Sequence, residues 1–169
     1  MLKKIMFTFL ILLGLYSTAA VVYRLFEPIE TYHADNSALY LDYSSLKEYI
    51  QASSEGSVHY LFFYASDDDA SDNIKNTVLP AVENNTSLQF SKVIETVDIT
   101  ALVKNHQTYR LSQEWGLTSY PAFAAAGVSN GSIVVNHILE DSSDDPIDEQ
   151  SLENWFIVNG LYQSTSDRK

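Results

Sequence analysis

Oxygen-bearing side chains are concentrated in one short stretch, FFYASDDDASDN, which runs from Phe62 to Asn73 and begins as a buried strand would. Carboxylates at the junction of a strand and a helix can bind a cation, act as acid–base catalysts or cap the helix. The alternation of oxygen ligands resembles the start of a calcium-binding loop, with aliphatic Ile74 next in the chain. The calcium candidates are Asp67, Asp69, Ser71 and Asn73.

The calcium pattern is incomplete in its second half. Its sixth position is Asp72, where the loop needs glycine, and its twelfth is Val78, where a bidentate glutamate belongs. Helix capping requires less, because Asp68, Asp69 or Ser71 can each cap the helix that follows. Carboxylates at that end gain roughly 0.3–1 kcal/mol each from the helix dipole. We expect capping, with a calcium site or docking of a polar or cationic partner as alternatives.

The sequence lacks the residues and motifs that other kinds of functional site require. The chain has no cysteine, which excludes disulfides, thiolate metal sites and thiol nucleophiles. The four histidines show no metal-ligand spacing, and neither a phosphate loop nor a GxSxG motif occurs. These histidines are His33, His59, His106 and His137. We expect no cofactor and no catalytic residue.

The charges of the 169-residue chain, net −12, are unevenly distributed. Of the ten basic residues, Lys3, Lys4 and Arg24 precede Glu27, whereas all 22 acidic residues lie at or after it. An acidic surface repels phosphate backbones, so we expect no nucleic-acid partner.

The first 26 residues have the pattern of a membrane segment. Lys3 and Lys4 precede an uncharged, mostly apolar run from Ile5 to Tyr23, which is long enough to cross a bilayer as one helix. Lysines before the run favour a cytoplasmic N-terminus, which places the rest of the chain outside the cytoplasm. The alternative is a signal peptide cleaved near the small residues Ser17-Thr18-Ala19. We expect a single-pass anchor, because the apolar run continues past Ala19.

The remaining residues divide into a linker, 27–37, one folded domain, 38–163, and a short tail, 164–169. Hydrophobic periodicity, capping and turn signals predict an α/β domain that starts with parallel strands and ends in an antiparallel hairpin about Asn130-Gly131. The predicted helices are Ser45–Ala52 with a capping box at Ser45, Ala70–Asn84 kinked at Pro80, Ala101–Trp115 and Asp148–Asn159. The predicted strands are Leu39–Leu41, Val58–Tyr64, Phe90–Ile99, Ala122–Ala126 and Ile133–Leu139.

Three local segments resemble the thioredoxin-like fold in the order that this family uses. FFYAS resembles the central strand before the active-site turn, Val97-Asp98-Ile99 resembles the next strand, and WGLTSYPAF resembles the segment that carries a cis-proline. Pro121 would be that cis-proline. The resemblance covers about Ser45 to Tyr162 and implies a central mixed sheet flanked by helices.

The resemblance breaks down at the residues that carry thioredoxin chemistry. The two redox cysteine positions fall on Asp68 and Ser71, and the buried acid position falls near Phe62. Without cysteine, thiol–disulfide exchange is impossible. In thioredoxin-like proteins the backbone beside the cis-proline pairs with extended peptides, which implies a peptide-binding edge at Ser119 and Tyr120. The alternative is that a cis-proline at Pro121 serves only the geometry of the turn.

The expected function is that of a membrane-anchored, extracytoplasmic, redox-inactive thioredoxin-like domain from a bacterial exported protein. Its partner would be another exported or membrane protein, or a peptide from one. The alternatives are an enzyme that uses a non-thiol site joining the turn Asp67–Ser71 to Tyr120 and Pro121, and an exported domain stabilised by calcium.

Overall fold

The computed structural model describes residues 40–86 and 89–162. The predicted anchor (1–26), linker (27–37) and tail (164–169) lie outside them. In the two described ranges, every helix falls short of the length and apolar character that a bilayer span needs.

A five-stranded sheet in the order β1-β3-β2-β4-β5 forms the centre of the fold. β1 and β2 run parallel to β3, whereas β4 is antiparallel to β2 and to β5. The strands are β1 Tyr40–Asp42, β2 Val58–Tyr64, β3 Ile94–Asp98, β4 Ala122–Ser129 and β5 Ser132–Glu140. The helices are α1 Tyr43–Gln51, α2 Asp69–Asn73, α3 Leu79–Thr86, α4 Thr100–Lys104, α5 Tyr109–Trp115 and α6 Glu149–Val158. The predicted mixed sheet flanked by helices is confirmed.

Two hydrophobic cores cover the two faces of the sheet. Successive side chains of β2 alternate between them, because side chains on a strand point to opposite faces. Leu61 and Phe63 belong to the core under α1, α4 and α5, whereas Phe62 and Tyr64 belong to the core under α3 and α6. A central strand buried on both faces explains the unbroken apolar run from which β2 is predicted.

The helix after β2 contains a π-helical turn, Ile74–Val78, between α2 and α3. Pro80 follows directly in α3. Proline has no N–H to donate, and its ring clashes with the carbonyl four residues earlier in a regular α-helix. A π-turn is one of the usual ways in which a helix adapts to such an interruption. The predicted helix Ala70–Asn84 is therefore three consecutive segments.

The start of α1 differs from the prediction. The N-cap is Asp42, whose carboxylate accepts hydrogen bonds from the N–H and, at 2.7 Å, from the hydroxyl of Ser44. Ser45, predicted to cap, instead donates its hydroxyl to the carbonyl of Asp42. The capping box at Ser45 is wrong because an aspartate three residues earlier already caps the helix.

Two further element boundaries were predicted wrongly. The helix predicted as Ala101–Trp115 is interrupted between α4 and α5, where His106 has a left-handed φ of 54°. The strand predicted as Phe90–Ile99 begins as a short 3₁₀ turn, Phe90–Lys92. Phe90 is buried and stacks on Phe156 of α6 at 3.9 Å between ring centroids. Its packing against α6 takes precedence over its strand propensity.

Candidate functional site

The turn after β2 is built around two side chains at the positions where the resemblance places the redox cysteines. Asp68 is the N-cap of α2, and its Oδ2 accepts a hydrogen bond from the N–H of Ser71 at 2.7 Å. Ser71 is fully buried, and its Oγ accepts a hydrogen bond from the N–H of Ala65 at 3.2 Å. Both side chains therefore satisfy backbone donors of the turn, and the predicted capping is confirmed at Asp68.

The exposed tip of the turn is tied to α4. The carboxylate of Asp67 pairs with Lys104 Nζ at 2.7 Å, and this hydrogen bond lowers the pKa of Asp67. Thr100 Oγ1 accepts a hydrogen bond from the N–H of Ser66 at 2.8 Å, while its own N–H donates to Asp98 at 2.8 Å. The acidic tip is thus partly neutralised by Lys104 and braced by Thr100.

The predicted calcium ligands have different partners in the structure. Asp67 faces Lys104, whereas the hydroxyl of Ser71 is directed at the backbone of Ala65. Asp69 is exposed at the start of α2, with Asn73 at its end. Across residues 40–86 and 89–162, no group of three or more His, Asp or Glu side chains could hold a metal ion.

The second predicted site, the loop before β4, contains a cis peptide bond between Tyr120 and Pro121, as expected. The carboxylate of Glu140 holds this loop. It accepts hydrogen bonds from the N–H of Thr118, from the Thr118 hydroxyl at 2.9 Å and from the N–H of Ser119 at 3.1 Å. In the part of the chain that the structure describes, no hydrogen bond satisfies the backbone N–H or C=O of Tyr120. Tyr120, which is half-buried, is therefore the residue of the predicted edge whose backbone has no partner among the described residues.

An open groove of about 430 Å³ lies beside this loop. Ser119 and Tyr120 form part of its wall, and Tyr109, which is 57% exposed, contributes from the start of α5. The remaining lining residues are Thr108, Leu111, Leu117 and Thr118. Sequence reasoning missed Tyr109, because a tyrosine inside one long predicted helix gives no sign that a helix end places it at a groove.

The groove and the acidic turn do not combine into the non-thiol site considered from the sequence. None of the turn residues Asp67 to Ser71 lines the groove. The pKa of Asp67 is lowered by its hydrogen bond with Lys104, whereas an acid–base carboxylate at this turn would need a raised pKa. Asp68 and Ser71 thus hold the backbone of the turn, and the groove lies beside the predicted loop at Ser119 and Tyr120.

A second polar cluster lies at the opposite end of β2. His59 Nδ1 is 3.0 Å from both carboxylate oxygens of Glu95, and His59 Nε2 is 2.7 Å from Ser53 Oγ. The hydroxyl of Tyr49 donates to Glu95 Oε1 at 2.7 Å. No sequence pattern predicts this cluster, because its members have no spacing in common. The available signals are a histidine and a glutamate within otherwise apolar strands.

Comparison with solved structures finds thioredoxins. The Plasmodium falciparum thioredoxin is 18% identical, with a TM-score of 0.44 over 70% of this chain and 85% of that one. The Malassezia sympodialis thioredoxin (Mala s 13) is 15% identical, with a TM-score of 0.42 over 71% and 90%. The Trichomonas vaginalis thioredoxin is 15% identical, with a TM-score of 0.39 over 63% and 86%. No protein-family model and no curated protein matches the chain.

The chain has a thioredoxin-like fold and contains no cysteine. The strand order, the direction of each strand and the helices on both faces carry this assignment. Since thiol–disulfide exchange requires a thiolate, the chain cannot carry it out.

Proposed function

We propose that the protein is a redox-inactive binding module that recognises an extended segment of another exported or membrane protein. The observation that carries this proposal is the loop at Ser119 and Tyr120, which borders an open groove and leaves the Tyr120 backbone without a described partner. The side chains at the redox positions, Asp68 and Ser71, are meanwhile engaged in holding the turn.

The groove suits a peptide strand that adds to an exposed backbone edge. Backbone pairing supplies affinity in this mode, and pockets for alternate side chains supply specificity. A bound strand would pair with the N–H and C=O of Tyr120 and place one side chain between Tyr109 and Tyr120. Aromatic side chains at such positions provide large contact area at little entropic cost.

The proposal includes a location at the cell membrane with the folded domain outside the cytoplasm. It is supported by the charge-free run Ile5–Tyr23 after Lys3 and Lys4. Release of the domain by cleavage near Ala19 is the alternative. N-terminal sequencing of the mature protein from membrane and medium fractions distinguishes the two, since an anchored chain retains residues 5–23.

Site-specific photocrosslinking tests the binding function. A photoreactive phenylalanine analogue is introduced at Tyr109, at Tyr120 and, as a remote control, at the exposed hairpin residue Asn130. We expect the same defined adduct from the two groove positions and no such adduct from Asn130. An excess of a synthetic peptide with the sequence of the crosslinked partner segment should prevent formation of this adduct. Equal crosslinking at all three positions, or none in the groove, would contradict the proposal.

A further inference from the structure

The polar cluster at the start of β2 has the connectivity of a nucleophile, a base and an orienting acid. We propose that Ser53, His59 and Glu95 form an acyl-transfer site that hydrolyses small, uncharged esters. The Ser53 Oγ to His59 Nε2 distance is 2.7 Å, and His59 Nδ1 lies 3.0 Å from both oxygens of Glu95. These contacts meet the geometric requirements for a nucleophile within reach of a base and a base held by a third group.

The backbone places the three side chains on one face of the fold. Glu95 of β3 is in register with Leu61 of β2, so that His59, two residues before Leu61, lies on the same face. The ring of Tyr49 from α1 packs edge-on against the imidazole at 5.1 Å between centroids, and its hydroxyl donates to Glu95. The orientation of His59 is therefore fixed from both the sheet and the helix.

Ser53 lies just after the C-terminus of α1, with its own N–H bonded to the carbonyl of Ile50 at 3.0 Å. The turn that follows is held against the β4–β5 hairpin by two hydrogen bonds. The N–H of Gly56 donates to Val128 at 3.1 Å, and Glu55 accepts from the N–H of Asn130 at 2.7 Å. The nucleophile thus belongs to a turn whose position is set by neighbouring secondary structure, which is what a catalytic group requires.

Glu95 determines which nitrogen of His59 can act as the base. A carboxylate beside Nδ1 favours the tautomer that carries its proton there, which leaves Nε2 as an acceptor. The Ser53 hydroxyl has a second acceptor within reach, the Tyr49 carbonyl at 3.3 Å, and its proton passes to the base through the shorter contact, 2.7 Å to His59 Nε2. The side chains of His59 and Glu95 are only 13% and 17% exposed. Glu95 is a positioning residue, and the Ser53 oxygen is the group that reaches the substrate.

The reaction proceeds by ordinary acyl transfer. Ser53 Oγ attacks the ester carbonyl as its proton moves to His59 Nε2, and the C–O bond to the alcohol breaks as that proton passes to the departing oxygen. Water then attacks the acyl-serine, His59 accepts the water proton and returns it to Ser53 Oγ, and the carboxylic acid leaves. The developing oxyanion would be met by the N–H of Ser54. Among residues 40–86 and 89–162 that N–H has no hydrogen-bond partner.

The surroundings restrict the substrate. Ser54 and Glu55 are exposed, so an ester reaches Ser53 from solvent over a short turn rather than through a deep pocket. The carboxylates of Glu55 and Glu95 disfavour an anionic substrate next to the nucleophile. A small uncharged acyl group, such as acetyl, fits this setting.

The site is independent of the proposed peptide groove. In the ladder between β2 and β4, His59 lies opposite Ala126, whereas the groove loop precedes Ala122, which lies opposite Phe63. The four residue steps from His59 to Phe63 correspond to about 13 Å at roughly 3.3 Å per residue. A failed search for a peptide partner therefore leaves this proposal standing, and the reverse also holds.

Covalent labelling tests the nucleophile. The full-length chain is treated with a fluorophosphonate ester, and the labelled residue is mapped by mass spectrometry. We expect one phosphonyl group on Ser53, no labelling after Ser53→Ala, and unchanged labelling after Ser66→Ala, a serine at the other end of β2. The rate with His59→Gln should fall at least about 100-fold, in the range of general-base effects. Absence of label from folded wild-type protein, or equal labelling after urea denaturation, overturns the proposal.

A second measurement uses the absence of cysteine, since Ser53→Cys introduces the only thiol in the chain. The rate of its alkylation by iodoacetamide is followed from pH 5 to pH 9. We expect the midpoint to lie at least about one pH unit below that of the Ser53→Cys, His59→Gln double variant, because a neighbouring imidazolium stabilises the thiolate. Equal midpoints would refute the role of His59. If the double variant does not fold, Ser66→Cys serves as the reference. A midpoint for Ser53→Cys that is no lower than the midpoint for Ser66→Cys then refutes the role of His59.

Discussion

Removal of the Ser71 hydroxyl tests whether this side chain, at a position where the resemblance places a redox cysteine, holds the turn together. Ser71→Ala leaves the N–H of Ala65 without its acceptor at a point where both residues are at most 1% exposed. A buried donor without a partner costs about 1–3 kcal/mol. Alanine has the higher helix propensity and returns roughly 0.5 kcal/mol. We therefore expect a net loss of about 0.5–2.5 kcal/mol in the free energy of unfolding.

Urea denaturation followed by tryptophan fluorescence measures this loss, because Trp115 and Trp155 are buried in the two different cores. With a slope of about 1–3 kcal/mol per molar urea, the midpoint should fall by about 0.2–2.5 M. Ser112→Ala, in an exposed position of α5, is the matched control and should change stability by less than about 0.5 kcal/mol.

A Ser71→Ala variant as stable as the wild type would refute the structural role of this hydroxyl. It would mean that water or a rearranged turn satisfies Ala65 and that the serine is retained at this position for another reason. A loss shared equally by Ser112→Ala would instead indicate a general effect of serine replacement, and it would refute the argument for Ser71 in the same way.

Four further outcomes are expected from single substitutions. Asp68→Ala should lower the free energy of unfolding by about 1 kcal/mol through loss of the N-cap. Asp68→Asn should lower it by only about a few tenths of a kcal/mol, because asparagine also caps, and equal losses would contradict the capping role. Gly127→Ala should lower the free energy of unfolding by about 1–3 kcal/mol or more in urea denaturation, because its Cβ would clash with the carbonyl oxygen of Ser57, and a neutral change would contradict this close packing. The hydrogen bond from the Ser151 N–H lowers the pKa of Asp148, so its contribution to stability is present above the unfolded pKa, about 3.9, and is lost as the pH falls through the lower folded value. Urea midpoints at pH 5 and pH 2.5 should therefore differ less for Asp148→Asn than for wild type, and an identical difference would refute this. Glu140→Ala should reduce crosslinking from the groove at least several-fold, since the loop at Thr118 loses its three hydrogen bonds, whereas the exposed-helix control Gln150→Ala should not.

The elements that the sequence predicts well are those with a strong local signal. β2 has the predicted bounds, because an apolar run between a glycine and an aspartate cluster has few alternatives to a central strand. The final helix is also confirmed, with Asp148 as its N-cap in a capping box with Ser151. Gly116 ends α5 with a left-handed φ of 74°, which is the conformation that its place after the helix predicts.

The errors occur where distant residues determine local structure. His106 adopts a left-handed conformation that separates α4 from α5, although neither glycine nor proline marks that point in the sequence. In β5, His137 has a φ of 48° beside a register shift, so that two residues lie opposite one in β4. Trp155 of α6 donates its indole N–H to the His137 carbonyl, and Asn159 bonds the imidazole at 2.9 Å. A bulge supported by a helix packed against it leaves no pattern in the strand sequence.

The candidate sites also differ in whether a local stretch of sequence predicts them. The turn at Asp68 and the loop at Tyr120 could be found because each follows a recognisable segment along the chain. The Ser53 cluster could not, because its three members meet only when β2, β3 and the end of α1 assemble.

The distribution of hydrogen bonds explains why the two ends of the sheet have different potential for chemistry. At the acidic end, each carboxylate or hydroxyl with a described contact serves a backbone donor or a neighbouring side chain of the turn, as Asp68 and Ser71 do. At the other end, Ser53 Oγ has two partners, the Tyr49 carbonyl at 3.3 Å and His59 Nε2 at 2.7 Å, and the shorter contact joins two side chains. A hydroxyl bound only to the backbone of a turn is held for stability, whereas one that also contacts an imidazole oriented by a carboxylate can transfer its proton. If the Ser53 cluster proves inert in the labelling experiment, this distinction fails, and the cluster must be counted with the structural hydrogen bonds of the acidic turn.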